Sequence, residues 1–247
     1  MLAHFRAALS FLSILPVGSG PLAAQFGPSL AYFPLVGFFI GLALSGLGAI
    51  LPLGLGADGR AFALLLTWVL LTGGLHLDGW ADSCDGLLAT TSPQRRLEIM
   101  RDPRNGTWAT SGLILLLLGK FLALRALHED TPLLILAPLW GRLAMIYAVY
   151  AYPYARPEGL GGSFRQGFER SHLGLGLGFT LMTSLFIALM WGPAGPLGAL
   201  ALVLMLGGGL FLAWAAGRLG GGLTGDVYGA VCEGLELVCL WGVVLIL

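Results

Sequence analysis

Of the 247 residues, 57% are hydrophobic and only 11% are charged, with a mean hydropathy of +0.85. Soluble domains carry about 25% charged residues, so a soluble fold is excluded and an integral membrane protein is expected. Thirteen basic and thirteen acidic side chains give zero net charge, which argues against nucleic acid or any partner held by a basic surface.

The chain opens with His4 and Arg6 among leucines and phenylalanines, the pattern of an interfacial amphipathic helix or a short first membrane segment. A cleaved signal peptide is not expected there, because Arg6 is the only base and no cleavage pattern follows. No Asp, Glu, Lys or Arg occurs between Arg6 and Asp58, nor between Arg170 and Arg218. Seven spans follow, at about 30–51, 60–77, 108–127, 131–151, 173–191, 196–217 and 227–247, each near the length a bilayer core requires. They must be helices, since lipid cannot satisfy open backbone groups. The fold class expected is an all-α, polytopic, integral membrane helical bundle, with the N-terminal amphipathic helix beside the seven spans. The 39 glycines, including Gly207-Gly208-Gly209, suit close helix packing. No repeat and no soluble second domain interrupts residues 1–247. The three cysteines (Cys84, Cys232, Cys239) form no C-x-x-C and read as reduced, small apolar residues.

Loop charge sets the orientation. The bases sit at Arg6, at Arg95, Arg96, Arg101 and Arg104, at Arg156, Arg165 and Arg170, and at Arg218. The intervening turns carry little beyond Asp58 with Arg60 and Glu129-Asp130. The positive-inside rule then places loops at about 78–107, 152–172 and 218–226 together on the cytoplasmic face.

The first of these loops begins with an acidic stripe. Asp78, Asp82 and Asp85 are spaced i, i+4, i+7, so on a helix they project within about 60° of arc. Like charges so placed repel one another, and a divalent cation is the natural remedy. Mg²⁺ fits best, since it takes one or two carboxylates plus water and substrate phosphates. A solvated acidic helix end is the plainer alternative, but no Lys or Arg interleaves the stripe. His76 falls on the opposite side, as a proton acceptor, a supporting residue or a boundary histidine.

Next, Ser92 reads as the N-cap and Pro93 as the first residue of a short helix that should stop at Asp102-Pro103. Asn105-Gly106 makes a turn, and Thr107 is placed to cap the third span. Arg101 and Arg104 beside that helix start form an anion site, or else serve only as positive-inside anchors. Residues 156–164 form a glycine-containing loop, either a plain connector or a cover over substrate. At the far end, Gly220-Gly221-Gly222 permits close approach of a backbone or ligand. Asp226, Glu233 and Glu236 share about 80° of the last helix. Ionisable groups within a span mark function by default, unless they pair with Lys120, Arg125 or Arg142.

Together these residues point to Mg²⁺-dependent transfer of a phosphate-linked group. Metal would bridge a diphosphate, arginines would hold its oxygens, and an alcohol would attack in line. No Gly-x-x-x-x-Gly-Lys-Ser/Thr loop is present, which disfavours an ATPase. A CDP-alcohol phosphotransferase would need Arg where Asp82 follows Ala81, and a downstream aspartate pair that is absent. An ion-coupled transporter would place its acids near midspan, whereas most of these cluster at span ends.

The run from Gly73 to Gly86, with Arg96-Leu97-Glu98-Ile99-Met100-Arg101-Asp102-Pro103-Arg104-Asn105-Gly106-Thr107, resembles the cobalamin synthase family, also called adenosylcobinamide-GDP ribazoletransferase. Gly221-Gly222-Leu223-Thr224-Gly225-Asp226 with Glu233 and Glu236, Phe11 to Val17, and Phe33 to Gly37 resemble it too, so the likeness spans the chain. Trp80 and Pro103 depart from the family, which often has an aliphatic residue and a serine there. The resemblance implies an EC 2.7.8-type transferase of the bacterial cytoplasmic (inner) membrane, with its active site facing the cytoplasm and Mg²⁺ as cofactor. α-Ribazole, or its 5′-phosphate, would attack the cobinamide-proximal phosphorus of adenosylcobinamide-GDP and release GMP. Carried onto this chain, Asp78, Asp82 and Asp85 hold metal, with Asp102, Asp226 and Glu233 completing or supporting its shell. Arg101 and Arg104 neutralise phosphate, Asp82 also serves in catalysis, and His76 is the candidate to receive the hydroxyl proton. The expected partners are the two substrates, the lipid bilayer and, as one option, a second copy of the chain.

Overall fold

The computed structural model describes residues 1–17, 25–127, 132–156 and 160–247. Glu129-Asp130, the first residue expected for the fourth span, and residues 157–159 of the glycine-containing loop lie outside the described residues. Every described regular element is helical: α1 (Leu2–Leu12), α2 (Phe33–Ile50), α3 (Gly56–Thr72), α4 (Leu75–Leu88), α5 (Pro93–Ile99), α6 (Thr107–Ala126), α7 (Leu136–Ala151), α8 (Leu160–Arg165), α9 (Arg170–Trp191), α10 (Ala194–Arg218) and α11 (Gly225–Ile246), with short 3₁₀ turns before α2, α3 and α7. Six helical stretches are long and apolar enough to cross a bilayer, and a bent pair, α3 with α4, makes a seventh if it counts as one span. The polytopic bundle expected from hydropathy is thus the architecture found.

The N-terminal helix lays Ala7, Ala8 and Leu12 against the bundle and leaves Leu2 at its start exposed. At the centre stands α7, with 13 of its 16 residues buried. One side of it meets α2, whose buried residues Phe33, Val36, Gly37, Ile40, Gly41 and Leu44 recur at helical spacing. Its other side meets α11. Lipid offers helices no hydrophobic drive to associate, so packing and interhelical polar bonds hold them. Trp140 Nε1 of α7, for example, donates to Ser184 Oγ of α9 at 3.1 Å.

The second span differs from the expectation. It ends at Thr72 rather than near Leu77, because Gly73 and Gly74 both adopt left-handed backbone, with φ of 64° and 69°. Their N–H groups donate to Leu70 O and Val69 O and close off α3, and the chain turns by 90° into α4. Side chains disfavour that backbone region, so the glycine pair is what permits the break. The acidic stripe therefore occupies a separate helix packed on α11 and α6, not an open loop trailing from a span.

Described parts of residues 78–107, 152–172 and 218–226 lie against one another at one end of the bundle. Ala155 N–H donates to Leu223 O (2.8 Å) and Leu223 N–H to Pro153 O (2.9 Å), which ties the second segment to the third. The close approach expected of the glycine run occurs there, since a Cβ on Gly222 would lie 3.0 Å from Pro153 O. Below this end, Phe11, Phe26, Phe33 and Phe164 pack ring to ring, with Tyr228 beside Phe164. The three cysteines are free.

Candidate active site on helix α4

Helix α4 carries two faces of opposite character. Its buried face, with His76, Gly79, Ser83 and Gly86, lies against the neighbouring helices. Gly79 matters most, because a Cβ there would come 2.8 Å from the carbonyl oxygen of Asp226. This contact brings the start of α11 against the acidic helix. On the other face Asp78 is exposed and Asp82 half-buried, and neither carboxylate forms a hydrogen bond or ion pair among the described residues. Asp82 lies within electrostatic range of Asp226, Asp78, Arg156 and Asp85.

Asp85 is already engaged. One oxygen accepts Gly106 N–H at 2.6 Å and the other accepts Ala109 N–H at 2.9 Å, so it caps the first turn of α6. The sequence assigned that cap to Thr107, which lies within the helix and provides no side-chain cap. The need for an acceptor was legible, but its source on another helix was not. By contrast, Ser92 caps α5 as expected, accepting Arg95 N–H at 3.3 Å, although that helix ends at Ile99, before Asp102-Pro103.

The last helix divides its three acids between two environments. Asp226 sits in its first turn and forms an ion pair with Arg156 at 2.9 Å. Arg156 also donates to Met100 O at 3.3 Å, joining the 152–156 segment to the end of α5. Glu233 and Glu236 lie deeper. Lys120 Nζ binds Glu233 at 2.5 Å and also Glu236, while the fully buried Arg142 binds Glu236 as well. These are the pairings with Lys120 and Arg142 that the sequence offered as the structural alternative for Glu233 and Glu236. Arg125 pairs with Asp58 at the opposite end. His76 is 3% exposed, with Arg142 and Lys120 as its charged neighbours, so its ring is set apart from Asp78 and Asp82.

Asp102 and Arg104 form a local fork at 2.9 and 2.7 Å, reinforced by a bond from Arg104 N–H to Asp102 at 3.1 Å. Those bonds hold the Asp102 carboxyl down to about 2. Arg101 is exposed. A cleft of about 270 Å³ lies among Asp85, Arg95, Glu98, Asp102, Arg104 and Gly106. The larger cavity, about 340 Å³, is lined by Trp140, Leu143, Leu177, Leu204, Leu212 and other residues without formal charge. It offers no group for phosphate chemistry.

Among the described residues, no three His, Cys, Asp or Glu side chains converge as a ready-made metal cage. The donor set suits a hard cation that takes two carboxylates and completes its shell from water and substrate phosphate. Sequence reasoning had treated Arg156 only as a loop base. Its partner is 70 positions away, so only the fold exposes the link.

The family model described as cobalamin-5-phosphate synthase matches residues 4–244. A protein of Pseudomonas putida (strain W619), named adenosylcobinamide-GDP ribazoletransferase, is 43% identical over 98% of both chains. Proteins of the same name from Stutzerimonas stutzeri (strain A1501) and Roseiflexus sp. (strain RS-1) are 40% and 41% identical, over 96% and 94% of this chain and 96% and 86% of their own. No solved structure shows significant similarity. The chain belongs to the cobalamin-5-phosphate synthase family.

Proposed function

We propose that the chain is an adenosylcobinamide-GDP ribazoletransferase that uses Mg²⁺ and works at the cytoplasmic face of the bacterial inner membrane. The observation that carries the mechanism is the pair Asp78 and Asp82. Theirs are the carboxylates of α4 without a partner among the described residues, while Asp85, Asp226, Glu233 and Glu236 are held by backbone or by cations. Asp78 and Asp82 would hold the metal, which when bound neutralises diphosphate charge. Arg104 lines the cleft and the exposed Arg101 lies three residues before it; both would meet phosphate oxygens, with Asp102 holding the Arg104 fork in place.

A hydroxyl of α-ribazole, or of its 5′-phosphate, attacks the cobinamide-proximal phosphorus. A new P–O bond forms, the P–O bond to GMP breaks, and the hydroxyl proton passes to a cleft carboxylate. The His76 ring is buried on the other side of α4 and is poorly placed to be that acceptor. The orientation rests on arginine placement, since Arg95, Arg101, Arg104, Arg156 and Arg165 all lie in the segments that meet at the α4 end. The test is GMP release from adenosylcobinamide-GDP with α-ribazole by the protein in lipid, with and without Mg²⁺.

A further inference from the structure

The end of α4 poses a problem of its own. The last carbonyls of a helix have no partner within it. Here no left-handed glycine closes the helix, because the capping residue Ala89 is extended. Two guanidinium groups from distant elements do so instead. Arg218, at the end of α10, donates through Nε to Leu87 O (3.0 Å) and through Nη2 to Ala89 O (2.8 Å). Arg96, on α5, donates through Nη2 to Ala89 O (2.8 Å) and through Nη1 to Thr91 O. Four bonds thus reach three consecutive odd-numbered carbonyls.

The arrangement has a cost. Arg96 is 5% exposed, two cations converge on the Ala89 carbonyl, and neither has a carboxylate partner among the described residues. What favours them is the negative end of the α4 dipole together with the three aspartates on that helix. Leu87 lies two residues beyond Asp85, within one helical turn. Fraying there would loosen the Asp85 grip on α6 and shift Asp82 relative to Asp226.

We propose that Arg96 and Arg218 are positioning residues, a guanidinium clamp on the C-terminus of α4 that fixes its aspartates against the first turns of α6 and α11. The catalytic consequence rests on the function proposed above, whereas the structural consequence does not. The planar fork is essential, because Arg218 spans two carbonyls and a lysine ammonium, as a point donor, cannot reproduce that geometry.

The test uses the full chain in lipid, with Arg218→Ala and Arg218→Lys. Hydrogen exchange over residues 84–88 should speed up in both. Turnover should fall by about tenfold to a hundredfold, as expected when reacting groups are misplaced, while KM for adenosylcobinamide-GDP stays within about twofold. Methylguanidinium added to Arg218→Ala should recover turnover and slow the exchange again. Wild-type exchange in both variants, or a loss confined to KM, would overturn the clamp. If Arg218→Ala does not fold, Arg218→Lys decides by the same two readouts. Failure of the wild-type protein to release GMP would instead count against the function and leave the exchange result to decide the clamp.

Discussion

The Asp85 carboxylate accepts the N–H of Ala109 at 2.9 Å, so an acid of the α4 stripe is also the cap that starts α6. Its second oxygen is taken by Gly106 N–H at 2.6 Å. The three aspartates at i, i+4, i+7 are therefore not equivalent, and substitutions should separate them.

Asp85→Ala removes the acceptor for two helix-start donors and should lower stability by about 1–2 kcal/mol, while Asp85→Asn, which keeps one acceptor oxygen but turns an amide NH2 toward the second donor, should lose about half as much. Thermal unfolding of the two variants in the same lipid or detergent checks this. Equal destabilisation would show that the cap contributes little.

Gly79→Ala forces a methyl group to within 2.8 Å of Asp226 O unless α4 and α11 separate. Overpacking of this kind costs about 1–3 kcal/mol. The variant should be less stable, and its turnover should fall along with stability because Asp226 and Asp82 move apart. Gly229→Ala meets His76 backbone at 3.3 Å, a contact that small shifts can relieve, and should be milder. Comparing the two unfolding midpoints is sufficient, and the reverse order would contradict the packing described.

Lys120→Met leaves Glu233 without its cation and Glu236 with Arg142 alone. Breaking a buried ion pair from one side costs about 3–5 kcal/mol. The yield of folded protein should drop sharply, and Lys120→Met with Glu233→Gln should recover part of it. Full yield from the single variant would remove the network from the account.

How much of this was legible in the sequence follows from which forces are local. The spans, the Ser92 cap and the stripe on α4 depend on spacing along one element, and each was read from the chain. The gathering of residues 78–107, 152–172 and 218–226 followed from loop charge. The break at Gly73-Gly74 was hidden, because two glycines in an apolar run fit a continuing span until their backbone angles are seen. The hold of Asp85 on α6, of Arg156 on Asp226, and of Lys120 and Arg142 on Glu236 joins positions between 21 and 116 residues apart where hydrogen bonds record them. No periodicity encodes such pairings; they arise only when helices pack. At Glu233 the sequence left two readings, a place in or beside the metal shell implied by the resemblance and pairing with a cation such as Lys120, and the carboxylate is bound by Lys120.

The account rests on Asp78 and Asp82 as the α4 acids whose side chains have no partner among the described residues, and one measurement addresses that directly. Mg²⁺-dependent GMP release is followed for the wild-type protein and for Asp82→Asn, both in lipid and both checked for folding by their unfolding midpoints. The prediction is release by the wild type that depends on Mg²⁺, and a loss of at least about a hundredfold in the variant at unchanged stability. Wild-type turnover from folded Asp82→Asn would contradict it.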